Sequence, residues 1–178
     1  MSSITALGVI LASADVAKKL KKTLVRLAGV GQATDSHCVH ERAEATDLLA
    51  VRAAAAQAFK MANVAPTDVD VAELHDAFTI LEIVESEEVG FFKKGQGHLA
   101  LERGETRLGG KLPINTSGGL KAKGHPVGAT GVGQAHEIVV QLRGEAEKRQ
   151  VKDAKIGFTC NFGGFGNNVV CLVFKREN

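Results

Sequence analysis

Tryptophan and tyrosine are absent from the 178-residue chain, and its aromatic complement is eight phenylalanines. So small a supply of rings leaves no stacking platform for single-stranded nucleic acid. Charge of one sign is lacking as well: 22 Lys and Arg against 20 Asp and Glu leave a formal net charge of +2, too little for the basic footprint of a nucleic-acid binder. The paired lysines at 18–19 and 21–22 then read as solvated helix faces. No apolar run approaches the roughly 18 residues that span a bilayer, and no charged region followed by an apolar segment opens the chain. Neither membrane insertion nor secretion is therefore expected. Cysteine is scarce and widely spaced, at Cys38, Cys160 and Cys171, which excludes a disulfide framework and predicts reduced thiols in a cytoplasmic protein. Cys171 lies inside an apolar run and reads as a small buried hydrophobe.

Glycine is present in quantity: 20 residues, most of them after residue 89, where the backbone must turn sharply or approach something closely. A hydrophobic content of 44% suffices for one domain over 1–178 with a real core. Apolar runs containing β-branched residues predict strands at 4–12, 25–30, 70–74, 155–159 and 168–175. Helices are predicted from a Ser13 cap to about residue 22, over 47–62 behind a Thr46 cap, and from Thr130 or Gly131 to about residue 142. Another amphipathic helix follows His75-Asp76-Ala77-Phe78, with Ile80, Ile83 and Val84 inward and Glu82, Glu85, Glu87 and Glu88 outward. This order predicts an α/β layered domain with a mixed five-stranded sheet and helices on both faces. A glycine-rich loop region covers about 90–131, and loops this long in compact domains usually carry function.

Three turns collect the residues able to do chemistry, each where a strand ends or a helix begins, the usual place for ligands in α/β sheets. His75 follows a strand, His125 precedes a helix, and Cys160 ends a strand beside a glycine turn. A helix beginning after His125 offers unpaired N–H groups and positive potential to an oxygen that gains charge. Taken singly, each histidine reads equally well as a structural residue, Cys160 as core, and residues 163–166 as a hairpin connection. His37-Cys38-Val39-His40 suggests a metal ligand pair, but a structural zinc site needs about four ligands in recognisable pairs and no second pair stands nearby, so no metal is assigned. Gly128-Ala129-Thr130-Gly131-Val132-Gly133 lacks the context of a nucleotide loop.

In this order the three turns resemble the C-terminal half of the thiolase family over nearly the whole chain. Asn115-Thr116-Ser117-Gly118-Gly119, followed by Gly124-His125-Pro126-Val127-Gly128-Ala129-Thr130-Gly131, is similar to the family's glycine loop and Gly-His-Pro signature. His75-Asp76-Ala77-Phe78 resembles the motif of archaeal-type and sterol-carrier-type thiolases, and Cys160 with Gly163, Gly164 and Gly166 resembles the family's C-terminal cysteine turn.

The resemblance implies that His125 accepts the proton of a nucleophilic cysteine and helps form an oxyanion hole, to which His75 contributes directly or through water. Cys160 would move the α-proton of an acyl-CoA, a task that sterol-carrier-type enzymes give to a cysteine at the position of Ala77. Asn115, Gly124, Phe162 and Gly163 would belong to the oxyanion and active-site loops, and Ser117, Gly118, Gly119 and Phe78 to the substrate surface. Phe162 stands where familiar thiolases carry glycine. The family's nucleophilic cysteine and most of its coenzyme A grip lie in an N-terminal half that has no counterpart here, and Cys38 lacks the nucleophile's context. The implied protein is thus a small subunit or fragment of a split acyl-CoA C-acyltransferase, inactive alone. Its substrates would be coenzyme A thioesters with no covalently bound cofactor, and its partners an N-terminal half, other copies in a homo- or hetero-oligomer, and a small zinc-containing protein. The competing expectation is a thiolase-like scaffold that binds acyl-CoA without turnover.

Overall fold

The computed structural model describes residues 7–20 and 22–177. After a one-turn helix α1 (Ala14–Ala17), whose Ser13 hydroxyl accepts the Val16 N–H as expected of a cap, the chain enters strand β1 (Val25–Thr34). Helix α2 (Leu49–Ala62), strand β2 (Val71–Glu73) and helix α3 (Thr79–Glu88) follow. The glycine-rich region contains two short helices, α4 (Gly97–Glu102) and α5 (Gly119–Lys123), and leads to helix α6 (Thr130–Arg143). Strands β3 (Ile156–Gly163) and β4 (Asn168–Arg176) close the fold as a hairpin.

The sheet order is β1-β4-β3-β2, antiparallel except for the parallel β2/β3 pair, so the sheet is mixed as expected. Its two faces carry separate cores. Phe158, Cys160, Phe162, Val169, Cys171 and Val173 face α2, while Val71 and Phe174 face Ile138 and Leu142 of α6. The alternation follows from the two-residue repeat of a strand. Phe158 stacks on Phe59 of α2 at 5.1 Å and meets the edge of Phe91 at 5.4 Å, closing the α2 layer. None of the described helices is long and apolar enough to cross a membrane.

Among the described residues four strands are present where five were expected. Residues 4–6 of the first expected strand lie outside the described residues, and 7–12 join no ladder and are exposed, Ile10 at 95% and Leu11 at 75%. The run places apolar side chains on both faces, so a strand there needs cover on both sides, and the described residues supply it on neither. α2 starts at Leu49 without a side-chain cap, because Asp47 is drawn into an ion pair with Lys94 and Thr46 makes no capping bond. It ends at Asn63 in the left-handed conformation, φ 51°, ahead of Pro66.

α3 is turned by one residue relative to the expected amphipathic pattern. Its inward stripe is Leu81, Val84, Glu85 and Glu88, spaced i, i+3, i+4, i+7, whereas Ile80 is 55% exposed. Two glutamates expected in solvent are thereby buried. Arg52 of α2 binds Glu88 at 2.8 Å, and Glu85 serves the backbone at the end of β2.

α2 can lie close over β1 because Gly29 and Gly31 face it: a Cβ at either position would overlap the carbonyl oxygen of Ala58 or Ala54. The alanine-rich inner face of α2 completes this close approach. Gly31→Ala should therefore lift the helix and cost about 1–3 kcal/mol by overpacking. Urea denaturation of the two proteins measures it, and an unchanged midpoint would mean that α2 is not held where the structure puts it.

Candidate active site

β2 is only three residues long and fully buried, and it ends in the interior. On its far side residues 113–115 act as a partial neighbour: Ala72 donates to the Pro113 carbonyl at 3.0 Å and Asn115 to that of Ala72 at 2.9 Å. Past the end of the strand, side chains replace the ladder. Leu74 N–H donates to Asn115 Oδ1 at 2.8 Å and His75 N–H to Glu85 Oε2 at 2.9 Å. Asn115, itself at φ 54°, also donates from Nδ2 to Glu82 Oε2 at 2.7 Å. The Asp76 carboxylate then receives the Leu120 and Lys121 N–H groups at the start of α5, at 2.7 and 3.4 Å. A side chain at Gly119, φ 61°, would collide with that carboxylate, which explains glycine there.

These bonds set His75 against His125. The rings meet edge to face with centroids 4.8 Å apart, and the Phe162 ring also packs on His75, tilted, at 4.5 Å. His75 is 3% exposed, while His125 is open to solvent. His125 Nδ1 lies 2.7 Å from Thr130 Oγ1, whose own proton goes to the Pro126 carbonyl at 3.1 Å. The hydroxyl is thereby left as acceptor, Nδ1 carries the hydrogen, and Nε2 presents a free lone pair. His75 Nδ1 is likewise held at 2.6 Å by Asn161 Oδ1, so its Nε2 is also an acceptor in the neutral ring. Burial is the main reason that the His75 pKa falls below its ordinary value, with the nearby His125 charge acting in the same direction against Asn161 and Asp76.

Beneath the pair lie acids in apolar company. Burial raises Glu73, Glu82 and Glu85, the last of them well above the usual carboxylate range. Glu73 accepts from the Ser117 hydroxyl at 2.6 Å and from Lys123 at 3.4 Å. Glu85 Oε1 has no hydrogen-bond partner. Beside Glu85 is Cys160, with no exposure and directly opposite Cys171 in the β3/β4 register. The Cys171 thiol and burial push the Cys160 thiol well up, and Glu85 adds to the effect.

The structure thus brings His75, His125 and Phe162 into contact and seals Cys160 below them. Asn115 and Ser117 are engaged in bracing bonds, Gly118 and Gly119 make the turn into α5, and Gly124 ends that helix one residue before His125. Gly163 lies exposed at the end of β3, and Phe78 is 59% exposed with the Lys121 ammonium 5.9 Å above its ring. Sequence reasoning passed over Asn161, Thr130 and Glu85. Asn161 and Thr130 adjoin named motifs, and a search for polar partners of the two imidazoles was the available signal. Gln134 was missed as well: it reaches from α6 to the Cys160 carbonyl at 3.0 Å and ties the helix to the strand end.

His75 just past the end of β2 and His125 just ahead of α6 thus bring two imidazoles together where a strand end faces a helix start. The family described as "Thiolase C-terminal domain-like" matches residues 31–176, and the chain belongs to that family. It is 48% identical to the acetyl-CoA acetyltransferase of Methanothermobacter thermautotrophicus over 96% of its own length and 45% of that protein's. It is 46% identical to human sterol carrier protein 2 over 68% of this chain and 22% of that protein. The chain thus spans about half the length of the archaeal relative. A solved structure titled "Ltp2-ChsH2(DUF35) aldolase" shares the fold with TM-score 0.82 and 24% identity, covering 93% of this chain and 43% of that one.

Glu85 supplies a pH signature. Its folded pKa is raised above the ordinary 4.5 of the unfolded chain. The stability it contributes is therefore complete below about pH 4.5 and is lost as pH rises through the folded value. Glu85→Gln keeps an acceptor for the His75 N–H without a titrating proton. The variant should match the natural chain in acid and become the more stable of the two as pH rises. Parallel stability curves across the whole range would show that Glu85 is not buried as described.

Proposed function

We propose that this chain is the C-terminal half of a thiolase-type acyl-CoA C-acyltransferase, working with an N-terminal half that carries the nucleophilic cysteine. The observation that supports it best is the exposed His125, whose Nδ1 is engaged by Thr130 so that Nε2 is the acceptor of the neutral ring, packed against the buried His75. In this reading His125 takes the proton of the partner's cysteine as the thiol attacks the thioester. The resulting imidazolium then donates toward the carbonyl oxygen as it gains charge. Neutral His75, an acceptor at Nε2, contributes to the same hole through a bridging water rather than directly. Gly118 and Gly124, both exposed, leave room for the thioester, and Phe78 beside Lys121 offers a surface for its arm.

The chain is inactive alone in this reading, because Cys160 is sealed and Cys38 stands in the β1–α2 loop. The exposed apolar side chains of 7–12 would lie under the partner half. Assembly into homo- or hetero-oligomers and a small zinc-containing partner belong to the same proposal. Cys160 is its acid/base member for the α-proton, supported by its position next to Asn161, which holds His75. A second reading, a scaffold that binds acyl-CoA without turnover, draws on one observation: Cys160 has no exposure and Phe162 covers the site beside it.

Two measurements separate these readings. In a complex reconstituted with the N-terminal half, His125→Ala should lower thiolysis of a 3-ketoacyl-CoA by about 10²- to 10⁴-fold. An unaffected rate removes His125 from the mechanism. In the same complex Cys160→Ala should also lower thiolysis, and a natural complex that binds acyl-CoA but shows no thiolysis supports the scaffold.

A further inference from the structure

The run His37-Cys38-Val39-His40 has no part in the proposed acyl transfer, and the structure gives it a third member that its spacing did not suggest. Val39–Glu41 form one 3-10 turn directly after Cys38. The turn brings Cys38 Sγ, a ring nitrogen of His40 and a carboxylate oxygen of Glu41 within 4.8 Å of one another, the one such group of three among the described residues. His37 takes no part, because its Nε2 is 3.2 Å from Asn167 Nδ2.

The turn is braced from within and from outside. Ser36 Oγ hydrogen-bonds the Glu41 carboxylate and accepts the Cys38 N–H at 3.1 Å, so one hydroxyl orients two of the three donor residues. Asp35 N–H donates to the Asn167 carbonyl at 2.9 Å, and Arg42 Nη2 to that of Phe165 at 2.6 Å. Both ends of the loop are thereby clamped to the β3–β4 turn. Metal bonds of about 2.0–2.3 Å in a tetrahedron place donor atoms roughly 3.3–3.8 Å apart. Closing from 4.8 Å asks for a movement of about 1 Å at side chains that are half-buried (Cys38) or exposed (His40, Glu41), which a small χ rotation supplies.

We propose that Cys38, His40 and Glu41 form a three-ligand site for a zinc-type divalent cation, with the fourth position open to water or an outside ligand. Thiolate, imidazole and carboxylate together select borderline-soft ions, whereas calcium and magnesium require an all-oxygen shell. Binding involves no oxidation: the Cys38 thiol gives its proton to the buffer as the sulfur–metal bond forms, and neutral His40 and ionised Glu41 donate lone pairs. A bound ion ties together the turn of the β1–α2 loop, which its own hydrogen bonds already clamp to the β3–β4 hairpin. The site is independent of the acyl-transfer reading.

Cobalt(II) titrated into the full, reduced, chelator-stripped chain tests it. One equivalent should produce a near-ultraviolet sulfur-to-metal charge-transfer band together with visible bands of tetrahedral cobalt, and zinc(II) should displace both. Cys38→Ser should abolish the charge-transfer band, His40→Ala and Glu41→Gln should each weaken binding at least ~10-fold, and His37→Ala should leave it unchanged. Absence of the charge-transfer band in the natural chain, or its survival in Cys38→Ser, overturns the proposal. Circular dichroism confirms that each variant is folded, and His40→Ala and Glu41→Gln decide the matter if Cys38→Ser is not.

Discussion

A strand that stops inside a protein leaves backbone donors with no ladder to join, and such donors must be met. β2 stops in this way, and the N–H groups of Leu74 and His75 are taken by Asn115 and Glu85, residues 41 and 10 positions away. Much of the site follows from this requirement. Asn115 comes to the strand end only if the glycine-rich loop lies alongside β2, which delivers Ser117 to Glu73 and the start of α5 to Asp76. The same loop then places His125 over His75. Loop, strand end and helix α3 are therefore one hydrogen-bonded unit, and the imidazoles sit where its buried donors are satisfied.

The arrangement concentrates acid where water is scarce. Glu73, Glu82 and Glu85 all have burial as the leading influence on their protonation, and only Glu73 has a lysine within 4 Å. Ionised carboxylates in such surroundings are costly, and a proton is the cheapest neutraliser. Burial acts in the same sense on the neighbouring His75, disfavouring the charged form of each of these groups. The two imidazoles consequently differ in setting: His75 is sealed, with burial opposing its charged form, and His125 is exposed.

The strands around Val25, Asp70, Ile156 and Asn168 were legible because β-branched runs mark buried ladders whatever lies around them. The run at 4–12 looked the same, but an apolar pattern reports a demand for cover and cannot show whether cover is met within the described residues. α3 shows the complementary failure. Counting glutamates as outward puts the stripe at Ile80, Ile83 and Val84, yet the helix is turned by one residue, so that Glu85 meets the buried His75 N–H and the buried Glu88 meets the exposed Arg52. His75 and His125 could be named from motifs, but not their division into buried and exposed. That depends on Asn161 and Thr130, whose roles exist only once β3 and α6 are packed. Gly131 makes this packing feasible, since a Cβ there would press on the Asn161 amide at 2.8 Å.

The same reasoning bears on Cys160. Taken alone this cysteine reads as core, and only the motif around it suggests chemistry. In the folded chain its immediate surroundings are Cys171 across the ladder, Glu85 from α3 and the apolar layer under α2. All of them disfavour the thiolate, so nothing described here activates Cys160 as a nucleophile. An acid that yields its proton only to a strong base meets no such objection, because a raised thiol pKa keeps the proton in place until a carbanion is present to take it. If Cys160 acts in the chemistry, its surroundings suit proton delivery to a departing carbanion better than attack on a thioester. In the proposed reading attack belongs to a cysteine of the N-terminal half, with the exposed His125 as its base.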